Sequence, residues 1–122
     1  GATSEKPVMF GRGMVFSVLP ETQAIYGLLI AILLMVSTGL LGGIPKELAF
    51  PVGLAVIGAG LSVGLTGLSA IGQGITAAGG IGAAALDPTA FGKSMVLSVM
   101  AETFAIFGLL GAILIMFGVG LF

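Results

Sequence analysis

The sequence predicts an all-α membrane protein made of antiparallel transmembrane helical hairpins, with three spans present, assembling into a ring. Three observations point to the membrane and to helices. The chain has 122 residues, 57% hydrophobic and only 7% charged, whereas a soluble domain carries roughly 25% charged residues. Its mean hydropathy is +1.26. The apolar residues form three segments, about 14–41, 48–78 and 95–122, each longer than the ~20 residues that carry a helix across a bilayer core of ~30 Å. A helix is the natural spanning structure because it satisfies its own backbone hydrogen bonds.

Taken in order, residues 1–12 are polar and hold Glu5, Lys6 and Arg12. No apolar stretch precedes them, so no signal peptide can be read there. The first span leads into a break containing Gly42, Gly43, Pro45, Lys46 and Glu47. Gly, Pro and charge together mark a turn, and so short a turn implies an antiparallel neighbour. The second span leads into a longer break, running from Gly79 and Gly80 to Asp87 and Pro88. Ala83 to Leu86 are helix-compatible, so this helix can extend several residues beyond the membrane. The third span closes the chain. By alternation Lys6, Arg12 and Lys93 share one side and Lys46 lies on the other; the side richer in Lys and Arg is normally cytoplasmic.

Composition removes several functional classes. With no Cys, neither disulfides nor thiolate metal sites arise, and with no His the usual general base and commonest transition-metal ligand are gone. A net charge of −1 without a basic run gives no nucleic-acid signal. The 22 glycines lack a three-residue period and come with only five prolines. They therefore serve helix packing rather than a collagen-like or low-complexity chain.

The chain also repeats itself. Shifted by 81 positions, Pro7 meets Pro88, Phe10–Gly11 meets Phe91–Gly92 and Arg12 meets Lys93. Ser17 then meets Ser98, Glu21–Thr22 meets Glu102–Thr103, and Gly27–Leu28–Leu29 meets Gly108–Leu109–Leu110. Shared hydrophobicity would not bring loop residues and an acid into register together, so this is a duplication. The register predicts that residues 1–42 are the second helix of a first hairpin and residues 43–122 a complete second hairpin. It also predicts that a helix resembling the glycine-rich span precedes Gly1 in the parent protein.

The duplicated acid is the centre of the functional reading. A carboxylic acid inside a membrane helix is costly and is by default functional. Glu102 lies nine residues after Lys93, about 14 Å along a helix and so close to the mid-depth of the bilayer core. Gln73 is the strongly polar side chain of the second span, and on an antiparallel neighbour it reaches a similar depth. An amide oxygen and a carboxylate at one depth make a small oxygen cage. Thr22 and Thr103 each follow an acid and add a hydroxyl. Gln23 follows Thr22, whereas Phe104 holds the equivalent place. Pro20 precedes Glu21, and a proline there loosens the helix and exposes backbone oxygen. Oxygen ligands alone suit a hard cation such as Na⁺, or a proton, and one carboxylate per cage matches a monovalent ion better than Ca²⁺ or Mg²⁺. An acid that is neutralised when it faces lipid and charged when it faces an aqueous channel can carry ions across a membrane.

A second pattern is the glycine stripe. Gly53, Gly60, Gly67 and Gly74 recur every seven residues, with Gly64 four after Gly60. A helix puts these on one face, a groove that another helix can approach closely. Continued over several heptads, it fits the inner wall of a ring.

The stretches Leu19–Pro20–Glu21–Thr22–Gln23 and Ala101–Glu102–Thr103, the glycine stripe and Gln73 together resemble the membrane rotor proteolipid of rotary ATPases, the K or c-type subunit of V-type and archaeal-type enzymes. The resemblance covers essentially the whole chain. It implies a ring of such hairpins turning against a stator subunit whose arginine meets each carboxylate, coupled through a central stalk subunit to ATP hydrolysis or synthesis elsewhere. It implies a multi-pass protein of a prokaryotic cell membrane, surrounded by lipid, without catalysis of its own and without nucleic-acid partners. The ligands of sodium-translocating members carry onto Leu19 (through its backbone carbonyl), Thr22, Gln23, Gln73 and Glu102, which favours Na⁺ over H⁺. Some duplicated members lack the acid of the first hairpin, whereas Glu21 is present here. Glu21 and Thr103 are therefore candidates for a second site, whose completeness depends on an upstream glutamine equivalent to Gln73.

Two other classes fit less well. A small proton-coupled multidrug exporter would also use a membrane glutamate, but its pocket needs aromatic side chains to face an organic cation. This chain has no Trp and one Tyr. A membrane scaffold explains the glycines and leaves Glu21 and Glu102 without a purpose. No phosphate-binding loop is present, because the glycine-rich stretch lacks the terminal Lys–Ser/Thr pair.

Overall fold

The computed structural model describes residues 1–122. It is helical throughout: α1 Ala2–Glu5, a 3₁₀ turn Pro7–Met9, α2 Phe10–Val18, a second 3₁₀ turn Leu19–Glu21, α3 Thr22–Ser37, α4 Phe50–Thr66, α5 Ser69–Leu86, α6 Ala90–Met100 and α7 Glu102–Gly118. Three stretches, Pro7–Ser37, Phe50–Leu86 and Ala90–Gly118, are helices long and apolar enough to cross a membrane. Each is interrupted once, at residues 19–21, 67–68 and 101. Residues 1–23 and 68–103 form one compact unit, and residues 24–67 and 104–122 form a second.

In the first unit α5 and α6 run antiparallel through the turn at residues 87–89. There Asp87 Oδ1 accepts the Thr89 backbone N–H at 2.9 Å, and both carboxylate oxygens accept the Thr89 hydroxyl at 2.8 Å. This local bonding is the usual means by which Asp initiates a turn. The Thr89 amide, and after it the Thr89 hydroxyl, hold the Asp87 carboxyl below the usual carboxylate range.

Gly79 and Gly80, expected to open the second break, lie instead inside α5. The reason is packing. A Cβ on Gly80 would stand 2.9 Å from the Phe16 ring and 2.9 Å from Ser94 Cβ, so glycine admits the close approach of α2 and α6 to α5. Phe16 is thereby wholly buried, which is worth about 1.5–3 kcal/mol for such a side chain. Its ring meets Phe91 edge-on at 5.5 Å between centroids, and the Arg12 guanidinium lies 5.3 Å from the Phe91 centroid. Lys6 Nζ donates to the Ala85 carbonyl in the last turn of α5, where a cation also complements the helix dipole.

In the second unit the core is Ile30, Ala59, Val63, Ala112 and Met116. The first span stops at Ser37, four residues earlier than expected, because Gly39 takes a left-handed φ of +78°. A Cβ there would collide with the Ile44 carbonyl, and the chain folds back with Lys46 N–H donating to the Thr38 carbonyl at 2.9 Å. Gly108 allows α7 to touch α4. A Cβ on it would strike the Thr66 hydroxyl and lie 2.6 Å from the Ser62 carbonyl, and Ser62 Oγ donates to the Gly108 carbonyl at 3.0 Å.

The heptad stripe behaves differently. A Cβ on Gly53, Gly60 or Gly64 meets nothing within 4 Å, and one on Gly74 is in ordinary contact with Pro20 at 3.8 Å. Close packing within this chain therefore uses Gly80, Gly108 and Gly111, where a Cβ would lie 2.9 Å from Ser62 Oγ, and leaves Gly53, Gly60 and Gly64 of the stripe uncovered by the chain itself.

Candidate ion-binding site

The site is built where the first span breaks. Pro20 cannot donate to a helical ladder, and residues Leu19–Glu21 tighten into a 3₁₀ turn with Thr22 N–H donating to the Leu19 carbonyl. The Thr22 hydroxyl donates to the same carbonyl at 2.8 Å and reaches Gln23 Oε1 at 3.4 Å. Gln23 Nε2 donates to Gln73 Oε1 at 2.6 Å, across from α3 to α5. Gln23 is 5% exposed and Gln73 fully buried. Four of the five residues expected to form one cage are thus joined in a single hydrogen-bonded string: Leu19 carbonyl, Thr22, Gln23, Gln73.

Helix register places Glu102 beside them in depth. Gly80 faces Ser94 across the α5/α6 seam. Seven residues back along α5 and seven forward along the partner, Gln73 comes level with Ala101, one residue and about 1.5 Å from Glu102. Glu102 opens α7 just after the interruption and is half-buried. No three acidic side chains cluster anywhere in the chain.

The second pair is placed otherwise. Glu21 is exposed and lines an open groove with Ser17 and Val18. Thr103 is exposed too, its hydroxyl committed to the Met100 carbonyl at 2.8 Å. Phe104, in the place of Gln23, is 62% exposed and supplies no oxygen. The chain gathers amide oxygens around the Thr22 end of the repeat and not around Thr103.

Two features of this region escape the sequence reading. Thr103 reproduces the Thr22 bond in a helix with no proline, and Ser98, fully buried one turn before Glu102, is not singled out. Its spacing of four from Glu102 on one helix face is the signal that would have found it.

The chain matches the family of the ATP synthase C subunit over residues 1–34 and 49–115. It belongs to that family. Among its relatives, the A-type ATP synthase subunit K of Methanocaldococcus jannaschii is 65% identical over 116 residues, covering 95% of this chain and 50% of the relative. The V-type sodium ATPase subunit K of Enterococcus hirae is 36% identical over 107 residues, 87% of this chain and 65% of the relative. The 16 kDa proteolipid of the V-type proton ATPase of Bos taurus is 32% identical over 111 residues, 90% and 68% respectively. The chain therefore spans half to about two thirds of the length of these family members. Membership sets aside the multidrug exporter, and three helices fit to span a membrane agree with an integral membrane protein.

Proposed function

We propose that this chain is an ion-translocating rotor-ring subunit of a rotary ATPase or ATP synthase, carrying Na⁺ on Glu102 as the ring turns. The observation that carries the reading is the string Leu19 carbonyl–Thr22–Gln23–Gln73, assembled at the depth of Glu102. Buried oxygen dipoles without a cationic side chain among them suit a small hard cation. A single carboxylate balances one positive charge, so the loaded site is neutral and tolerates a lipid-facing position. With Na⁺ absent the same carboxylate meets that requirement by taking up a proton, and the relatives above include both a sodium and a proton ATPase proteolipid.

Ion release follows from charge and solvation. When the ring brings Glu102 to an aqueous channel, water replaces the cage oxygens, and a stator arginine offers the carboxylate a fixed partner in place of Na⁺. The proposed partners are thus further copies of this chain in a ring, a stator membrane subunit bearing an arginine, a central stalk subunit and lipid. Nucleotide chemistry resides in other subunits.

Labelling with a carboxyl-directed carbodiimide tests this. Glu102 reacts when protonated, and Na⁺ should protect it with an effect that grows as pH rises. Labelling at Glu102 that is indifferent to Na⁺ at every pH would sink the sodium assignment and leave a proton carrier. Failure of Glu102 to react at all would remove the carrier role.

A further inference from the structure

Besides Ser69 Oγ on α5, two polar groups of wholly buried residues are left without a partner among the protein's own atoms: Gln73 Nε2 and Ser98 Oγ. Both side chains are 0% exposed. Buried donors without partners are rare in native structures and call for an explanation.

Their placement supplies one. Gln73 lies seven residues before Gly80 and Ser98 four after Ser94, so both sit on the faces that meet at the Gly80/Ser94 contact. In this antiparallel register Ser98 is level with Thr76, three residues and about 4.5 Å along the axis from Gln73. The two atoms make no bond to each other, and a single water between them would satisfy both. Ala77, buried on the same face one turn from Gln73, fills this level with only a methyl group. The repeat adds a contrast. Ser17, the counterpart of Ser98, is exposed and donates to the Gly13 carbonyl four residues back, the bond that Thr66 and Thr76 also make. Ser98 does not make it.

We propose that Ser98 is a positioning residue for the ion site, a single buried water bridging Ser98 Oγ and Gln73 Nε2. The bridge fixes one end of the Gln73 amide on the seam and thereby turns the other end, Oε1, toward Gln23 and the cage. This water has two polar partners, within the roughly two to four that buried waters make. The inference rests on the proposed ion cage for its functional consequence, but not for the water itself.

The test uses the intact ring. In Ser98→Ala the Na⁺ concentration that half-protects Glu102 from carbodiimide should rise about tenfold, as for loss of an outer-shell partner of a bound metal. The pH profile of labelling without Na⁺ should stay as in the wild type, a separation that mere loss of packing would not produce. On a Gln73→Ala background the Ser98→Ala change should add nothing. Wild-type protection by Na⁺ with an unchanged half-protecting concentration in Ser98→Ala overturns the positioning role. Absence of Na⁺ protection in the wild type overturns the sodium cage instead. An experimental structure of the wild-type ring that resolves water reads the bridge without any variant. Density within hydrogen-bond distance of both atoms supports it, and a direct Ser98–Gln73 bond or a Ser98 bond to the Ser94 carbonyl overturns it.

Discussion

Gln23 donates to Gln73 at 2.6 Å, joining two helices through a pair of buried amides fifty residues apart in the chain. The bond orients both side chains, so its loss is felt at the site and not only in stability. Interhelical hydrogen bonds in membranes are worth about 0.6–2 kcal/mol. We expect Gln23→Leu and Gln73→Leu each to weaken Na⁺ protection of Glu102. The double variant should lose less than the product of the two, with a coupling of about 1 kcal/mol in a double-mutant cycle. Strictly multiplicative losses would show that the amides act separately.

The two acids should not be equivalent. Glu102 is half-buried at the depth of the cage, whereas the Glu21 carboxylate is exposed and makes no hydrogen bond or ion pair within the chain. Glu102→Gln should abolish ion transport by the assembled enzyme and remove Na⁺-protected labelling. Glu21→Gln should leave the Na⁺ concentration that protects Glu102 within about twofold of the wild type, as expected for separate sites. An equal loss of Na⁺ protection at Glu102 in both variants would show that the two carboxylates share one cage.

Much of this arrangement is legible in the sequence because hydropathy and repeat register act over long stretches. The spans, the duplicated Glu–Thr pair and the common depth of Gln73 and Glu102 follow from counting residues at helical rise. Gly80 shows where that reasoning stops. A Gly–Gly pair reads as a turn, yet here it lies inside α5 because the Phe16 ring and Ser94 need the missing Cβ's space, a three-dimensional requirement with no local signature. The helix break at Ala101 is similarly silent, since no proline marks it. Leu19 is reached only through family resemblance, for a backbone carbonyl carries no side-chain code. In the structure that carbonyl accepts both the backbone N–H and the hydroxyl of Thr22.

The turn at residues 87–89 makes a pH prediction. The Asp87 carboxyl is held below its ordinary value of 3.8, by the Thr89 backbone N–H first and the Thr89 hydroxyl second. A depressed carboxylate favours the folded turn above its unfolded value, and that contribution is lost as pH falls through the folded value. In Thr89→Ala the midpoint should move up toward 3.8 without reaching it, because the backbone donor remains. A carboxyl-carbon NMR titration of Asp87 measures this. No movement would mean that the hydroxyl bonds contribute nothing to the turn.

Glycine substitutions separate packing inside the chain from packing between chains. Gly80→Ala places a methyl 2.9 Å from the Phe16 ring and from Ser94 Cβ, and overpacking of this kind costs about 1–3 kcal/mol. Gly108→Ala is worse placed, because its methyl meets the Ser62 backbone carbonyl at 2.6 Å, which cannot rotate away. Both should destabilise the isolated protomer, lowering its melting temperature in detergent. At Gly60 a methyl meets nothing within the chain, and alanine improves helix propensity by about 1 kcal/mol. The lone protomer should therefore be unharmed by Gly60→Ala. If the uncovered stripe is the ring contact, the same change should lower the temperature at which the assembled ring dissociates. A ring as robust as the wild type, carrying alanine at both Gly60 and Gly64, would place the contact between protomers on another face.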